Sequence, residues 1–189
     1  MKLIKSYLHR VFIDGLSGMA LGLFSTLIIG TIIQQIGTFA GGTVGNLIFL
    51  VGKMAAAATC AGIGVGVAYK FKESAMVVLS AATAGLVGGY ASQLLAGTVI
   101  SDSGALVLSG PGEPLGAFLA AYVGIELGHL ISGNTRLDII LTPLVTIGAG
   151  SAVGVLAGPP ISSFMNWLGS LINWGTEQQP FLMGIVVSV

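Results

Sequence analysis

The sequence predicts an all-α protein that crosses a membrane several times, and its composition and charge distribution carry that prediction. Of its 189 residues, 7% are charged and 54% are hydrophobic, and the mean hydropathy is +0.96. A water-soluble domain carries about 25% charged residues, which keep it in solution. The charges here are grouped, chiefly at 2–14, 70–73, 102–113 and 136–138. Because about 20 apolar residues cross a hydrocarbon core as a helix, the long stretches with almost no charge between these groups predict a polytopic membrane protein.

Five stretches with almost no charge have the length of a membrane span, and a sixth has about half that length. We expect the five spans at about 15–36, 46–69, 74–100, 114–131 and 139–158, and the sixth stretch begins at Phe181. The Gly- and Thr-rich connection 37–45 either lies in water outside the membrane or dips into the membrane. The prediction is therefore about five to six spans within a single membrane domain, 1–189.

The final apolar stretch, 181–189, has two interpretations. A helix that ended within hydrocarbon would leave its last carbonyl groups without hydrogen-bond partners. The stretch could therefore form one arm of a re-entrant hairpin. The interpretation that we favour is that the chain is the N-terminal half of a longer protein.

The basic residues predict the orientation of the chain. Cytoplasmic connections are enriched in Lys and Arg. With a cytoplasmic N-terminus, six of the seven basic residues fall on the cytoplasmic side: Lys2, Lys5, Arg10, Lys70, Lys72 and Arg136. Lys53 is the exception, and either its side chain extends to the outer surface or it pairs with Asp102 or Glu113.

Glycine is expected to form the contacts between helices. In lipid there is no hydrophobic gain from helix association, so small residues that allow close approach determine it. Thirty glycines are present, and many of them recur at intervals of four residues: Gly18/Gly22, Gly37/Gly41/Gly45, Gly62/Gly66, Gly124/Gly128 and Gly150/Gly154/Gly158. We expect Gly85, Gly88 and Gly89 to loosen the third span instead.

Several classes of function are disfavoured. The formal net charge is zero, so the sequence shows no basic footprint for a nucleic acid. The single cysteine, Cys60, lies among alanines and is expected to pack in the membrane. We find no nucleophile–base pair, phosphate-binding loop or zinc-ligand pattern, and we predict no catalytic residue, cofactor or metal.

Glu126 and His129 are ionisable residues within the fourth span. They are three positions apart and therefore lie on one face of a helix. One interpretation is an interfacial ion pair with Arg136, and the other is a polar patch that faces a substrate cavity. A di-iron site would need the Glu-x-x-His pair twice, so we do not predict a metal here.

Glu177 is the strongest candidate for a ligand-binding residue. It lies beside Thr176 and Gln178, and Gly175 and Pro180 are expected to interrupt the helix on either side. Polar, non-helical backbone next to an apolar run is tolerated where it lines a cavity. A carboxylate with neighbouring amides accepts several hydroxyl hydrogen bonds, which suits a sugar-like ligand. The alternative is an exterior loop anchored by interfacial tryptophans.

Two parts of the chain have motifs in common with a known family. Residues 139–175 contain Pro-Leu-Val-Thr, then Gly-Pro-Pro at the end of a span, then Asn-Trp-Leu, and Gly175-Thr176-Glu177 follows. This arrangement resembles enzyme IIC, the membrane permease subunit of the bacterial sugar phosphotransferase system, including its Gly-x-Thr-Glu-Pro motif. Residues 12–31 resemble an enzyme-IIC-like branch that consists of stand-alone membrane proteins.

The resemblance implies a function and partners. Glu177 would bind a sugar or polyol on a re-entrant hairpin, and His129 would correspond to a histidine near the sugar. The protein would be a homodimer in the lipid of the bacterial inner membrane, and any phosphorylation would come from separate cytoplasmic phosphocarrier proteins. Gln178 and Gln179 separate Glu177 from Pro180, unlike the family motif. This departure favours the alternative of a phosphorylation-independent transporter or channel, and a further alternative is a membrane-embedded regulator or scaffold.

Overall fold

The computed structural model describes residues 8–101, 103–134, 137–178 and 184, with the side chains of the last helix described as far as Thr176. Within these residues the regular structure is helical, apart from an isolated β-bridge between Ile100 and Leu106. The all-α prediction is therefore confirmed. The described helices are α1 (Arg10–Ala40), α2 (Gly42–Ala57), α3 (Thr59–Lys70), α4 (Ala75–Gly89), α5 (Ala91–Leu95), α6 (Pro114–Ile131) and α7 (Asp138–Gln178).

Helix α1 is 31 residues long and contains two π-helical turns, Arg10–Gly15 and Phe24–Ile28. Its first half packs on α3, and its second half packs antiparallel on α2. The two helices are joined by a tight turn at Gly41 and Gly42, whose φ angles are +63° and +62°. Only glycine adopts such angles without steric cost. This turn replaces the longer connection expected at 37–45.

The second predicted span, 46–69, is a broken helix. Helices α2 and α3 meet at Ala58 with a bend of 51°. Neither glycine nor proline occupies the bend, so local sequence gives no signal for it. The neighbours of this break, described below, hold it in place.

The third predicted span, 74–100, is not a single helix. Helix α4 has 15 residues and is therefore about 22 Å long, and a turn at Tyr90 separates it from the short α5. A Cβ atom on Gly85 would lie 2.5 Å from the Cys60 carbonyl oxygen. The glycines at the end of α4 therefore form close contacts, and the first helix of the predicted third span ends at Gly89.

Helix α7 continues well beyond the predicted end of the fifth span at 158. It has 41 residues and includes Pro143, Pro159 and Pro160. The helix also includes Gly175, so the expected interruption before Glu177 is wrong. The re-entrant hairpin predicted near the C-terminus falls mainly on 179–183 and 185–189, which lie outside the described residues.

Three described helices are long and apolar enough to cross a membrane, or four if the bent pair α2–α3 counts as one span. The prediction of five to six spans is therefore slightly too high. Helix α4 falls short of the length required, and the sixth predicted stretch, apart from Gly184, lies outside the described residues.

The glycine contacts are confirmed at most of the predicted positions. A Cβ atom on Gly18 would lie 2.6 Å from the Gly66 carbonyl oxygen, and one on Gly124 would lie 2.5 Å from the Thr146 carbonyl oxygen. Gly41 is different, because it forms the turn and has open space around it. Around these contacts α3, α4, α6 and α7 enclose a core that includes the fully buried Ile63 and Ile125.

Candidate functional site

Four ionisable residues meet at one end of the bundle. Arg10 begins α1, Glu73 lies in the connection from α3 to α4, and Glu126 and His129 lie in the last turns of α6. The start of α1, the connection from α3 to α4 and the end of α6 lie at the same end of the bundle, so the four side chains come together there. We refer to Arg10, Glu73, Glu126 and His129 as the charged cluster.

Glu73 is the centre of the charged cluster. Its side chain is 4% exposed, and both of its carboxylate oxygens have partners. The Arg10 Nη2 atom donates a hydrogen bond to Oε1 at 3.0 Å, and the His129 Nδ1 atom lies 2.7 Å from Oε2. A buried carboxylate requires such partners, because an unpaired buried charge is costly.

Glu126 contacts the same arginine with poorer geometry. Its Oε1 atom lies 3.3 Å from Arg10 Nη2, but this buried oxygen makes no hydrogen bond within the described residues. The close charges attract each other, so we regard the pair as an ion contact. The oxygen keeps its capacity to accept a hydrogen bond from a hydroxyl group.

Aromatic rings lie under the charged cluster. The Arg10 guanidinium carbon is 4.5 Å from the centroid of the Phe71 ring. The Phe71 ring meets Tyr122 edge to face, with 6.0 Å between the centroids. A guanidinium over a ring face gains a cation–π attraction, so Phe71 helps to hold Arg10 in position.

The structure thus gives Glu126 and His129 the partners Arg10 and Glu73. Arg136, which the sequence suggested as the partner in an interfacial ion pair, lies outside the described residues. Arg10 and Glu73 were not recognised as parts of a site. The positions of Arg10 and Glu73 in the sequence could have indicated the cluster, because both were expected at the cytoplasmic ends of neighbouring spans.

The other predicted site residues lie near the C-terminal end of α7. The Thr176 side chain is exposed, and its hydroxyl donates to the Ile172 carbonyl at 2.7 Å. Its oxygen lone pairs remain able to accept a hydrogen bond. Glu177 and Gln178 are the last two residues of α7, and their side chains lie outside the described residues.

The predicted site residues therefore form two separate groups. Gly124, near Glu126, lies against Thr146 of α7. Thr176 follows Thr146 by 30 residues, which corresponds to about 45 Å along an α-helix. The structure brings Glu126 and His129 together but does not bring them to Thr176.

The described residues of the connection 96–113 fold back over the break between α2 and α3. The Tyr90 hydroxyl donates to the carbonyls of Gly110 (2.5 Å) and Ala57 (3.3 Å), and the Cys60 thiol donates to the Pro111 carbonyl at 3.1 Å. These bonds confirm a packing role for Cys60. At the end of the connection, burial raises the pKa of the Glu113 carboxyl, and a hydrogen bond from the Leu115 backbone partly offsets this shift.

Long apolar helices that pack through glycine and carry polar groups at their ends define a helical integral membrane protein. A family model described as "Phosphotransferase system, EIIC" matches residues 13–189. The chain belongs to this family, which confirms the resemblance found in the sequence. Membership supports a permease-like role in sugar transport. Comparisons with curated proteins and with solved structures gave no match.

Proposed function

We propose that the protein is a permease that binds a sugar or polyol and moves it across the bacterial inner membrane. The observation that carries this proposal is the family match over residues 13–189. The match extends over the segment 175–178, in which the sequence resembles the sugar-binding motif of the family. The described helices supply the apolar surfaces that such a protein requires in lipid.

In this proposal Glu177 binds the hydroxyl groups of the solute, with Thr176 and Gln178 beside it. An ionised carboxylate accepts from two or more hydroxyls, and its hydrogen bonds are about twice as strong as neutral ones. The free lone pairs of the Thr176 hydroxyl support its part as an additional acceptor. The protein itself forms no covalent bond with the solute.

Glu126 and His129 are proposed to contact the solute at the cytoplasmic end. The buried Glu126 oxygen without a hydrogen bond supports this role, because a solute hydroxyl would satisfy it. Since these residues lie far from Thr176, they would act at a different stage of transport. Phosphorylation there would require a separate phosphocarrier protein.

The orientation and assembly belong to the same proposal. The N-terminus is cytoplasmic, so the charged cluster faces the cytoplasm and the connection 96–113 faces outward. The charge distribution supports this orientation. We further propose a homodimer surrounded by membrane lipid, since many large apolar side chains of the described helices are exposed on the single chain.

A phosphorylation-independent transporter or channel for another small solute is the second candidate. The two glutamines at 178 and 179 favour it, because they alter the family motif next to Glu177. Uptake into proteoliposomes without phosphocarrier proteins separates the two candidates. Accumulation of unmodified solute under these conditions supports the second.

Calorimetric binding of candidate sugars and polyols to the wild type and to Glu177→Gln tests the proposed site. The substitution preserves shape but removes charge-assisted hydrogen bonds worth about 1.5–3 kcal/mol each. We therefore expect affinity to fall by roughly tenfold to a hundredfold for one lost bond. Glu113→Gln, the same substitution in the connection before α6, is the matched control and should bind normally. Unchanged affinity in Glu177→Gln for a verified ligand would contradict the proposed site.

A further inference from the structure

A cavity of about 380 Å³ lies beside the break between α2 and α3. Its size is within the range of about 300–1,000 Å³ that is typical of small-molecule sites. Helices α1 and α2 and the connection 96–113 all contribute to its wall. Its lining includes Thr31, Gln34, Lys53, Leu108, Gly110 and Pro111.

Buried groups fix the wall formed by the connection. Tyr90 is 2% exposed and Cys60 is fully buried, and these two side chains hold the Gly110 and Pro111 carbonyls through the hydrogen bonds described above. Tyr90 also bonds to Ala57, at the break itself. The cavity is therefore preformed by the packing of the connection onto the broken helix.

Lys53 is the charged residue of the cavity wall. Among the described residues it takes part in none of the ion pairs, and no described carboxylate lines the cavity. Charged side chains in membrane helices are costly and usually have a partner or line a cavity. A negatively charged group in the cavity would neutralise Lys53.

The other polar side chains of the lining are neutral and can form further hydrogen bonds. The Thr31 hydroxyl donates to the Ile28 carbonyl at 2.8 Å, which leaves its lone pairs free. The Gln34 side-chain nitrogen makes a long bond of 3.4 Å to the Gly30 carbonyl, so its amide oxygen and second N–H remain available. Much of the remaining lining is aliphatic, from residues such as Leu27 and Leu108.

We infer that this cavity binds a molecule that carries one carboxylate or phosphate group, with Lys53 as its counter-ion and Gln34 as a neutral hydrogen-bonding partner. The shared chemistry is a single anionic group attached to a body that bears hydroxyl groups or aliphatic carbons. A soluble sugar phosphate or sugar acid has this chemistry, and so does the head group of an anionic lipid. The site is separate from Glu177 and from the charged cluster, and it does not depend on the proposed sugar transport.

Thermal unfolding of the purified protein tests the inference in two arms at constant ionic strength. The soluble arm titrates glucose 6-phosphate and gluconate, with glucose as the neutral control. The lipid arm compares nanodiscs of phosphatidylglycerol with nanodiscs of phosphatidylcholine. Each arm uses the wild type, Lys53→Met, Lys53→Arg and the matched control Lys70→Met, which alters a lysine outside the cavity.

We expect an anionic probe to raise the unfolding midpoint of the wild type in at least one arm. Lys53→Met should weaken the apparent affinity about tenfold or more, because it removes a charge-assisted bond. Lys53→Arg should retain most of the effect, and Lys70→Met should behave as the wild type. A response confined to one arm identifies the source of the anion, and a response in both supports the shared chemistry.

Three results would overturn the inference: no anionic probe affects the wild type, Lys53→Met responds as the wild type does, or Lys70→Met loses as much as Lys53→Met. Each of these results would return Lys53 to the roles expected from the sequence, in which its ammonium group extends to the outer surface or pairs with an acidic residue before α6. Because methionine is apolar and the Lys53 side chain is exposed, the variant should remain folded. The unfolding midpoint of Lys53→Met without ligand, compared with that of the wild type, checks that it is folded.

Discussion

The Nδ1 atom of His129 lies 2.7 Å from the Oε2 atom of Glu73, although the two residues are 56 positions apart in the chain. The other oxygen of Glu73 binds Arg10, 63 positions away. One buried carboxylate therefore joins the start of α1, the connection from α3 to α4 and the end of α6. These charge-assisted bonds close one end of the bundle, next to the Phe71 ring.

Loss of the Glu73 charge should lower the stability of the folded protein. Glu73→Gln keeps the shape but weakens the bonds to Arg10 and His129, each worth about 1.5–3 kcal/mol when one partner is charged. We expect a clearly lower unfolding midpoint in detergent. The exposed pair His9–Asp14, at 3.7 Å, provides the control, since exposed pairs contribute about 0–1 kcal/mol. Equal effects of Glu73→Gln and Asp14→Asn would contradict the central role of Glu73.

Enlargement of a contact glycine should separate α1 from α3. A Cβ atom on Gly18 would lie 2.6 Å from the backbone of Gly66 and Val67, so Gly18→Ala forces the helices apart at a cost of about 1–3 kcal/mol. The control is Gly148→Ala on α7, where a Cβ atom would meet open space. Thermal unfolding in detergent distinguishes them. If Gly148→Ala destabilises as much as Gly18→Ala, the contact is not the cause.

The proposed orientation predicts which residues can be labelled from outside. In a Cys60→Ser background, Ser103→Cys in the connection before α6 should react with an impermeant thiol reagent in intact cells. Lys70→Cys, at the end of α3, should react only after the membrane is permeabilised. Both native side chains are exposed, so accessibility within the fold does not limit either reaction. Labelling of residue 70 in intact cells would reverse the assignment.

Because the Glu113 carboxyl is partly buried, the difference in stability between the wild type and Glu113→Gln should depend on pH. Burial raises its pKa above the usual value of 4.5, so the folded protein binds this proton more tightly than the unfolded chain does. The resulting stabilisation is complete below pH 4.5 and is lost as the pH rises through the pKa of the folded state. The unfolding midpoint of the wild type should therefore fall relative to that of Glu113→Gln from about pH 4 to about pH 7. Parallel pH profiles for the two proteins would show that this carboxyl is not desolvated.

Several elements follow from the sequence because their causes act over one helix or one turn. The apolar stretches marked most of the helical regions, since hydropathy along the chain reports directly on burial in lipid. The four-residue spacing of Gly18/Gly22 and Gly62/Gly66 identified contact faces, because residues four apart lie on one side of a helix. The face that carries Glu126 and His129 was identified in the same way.

The helix limits that were predicted wrongly depend on neighbouring elements. Pro159 and Pro160 remove two backbone donors from α7, but the helix continues where Gly158 packs on Ala91 and Ser162 bonds to Ser92 at 2.6 Å. In membrane proteins such packing makes prolines within helices tolerable.

The sequence by itself determined that this protein is helical and suited to a membrane, and it indicated which residues could form close helix contacts. Only the tertiary structure decided that α2 and α3 break at Ala58, where Tyr90 bonds to the neighbouring carbonyl, and that Glu73 joins Arg10 to His129. Local patterns report the environment of each segment, whereas these features depend on polar groups that are 33 to 63 positions apart in the chain. Such partners meet only when the helices pack.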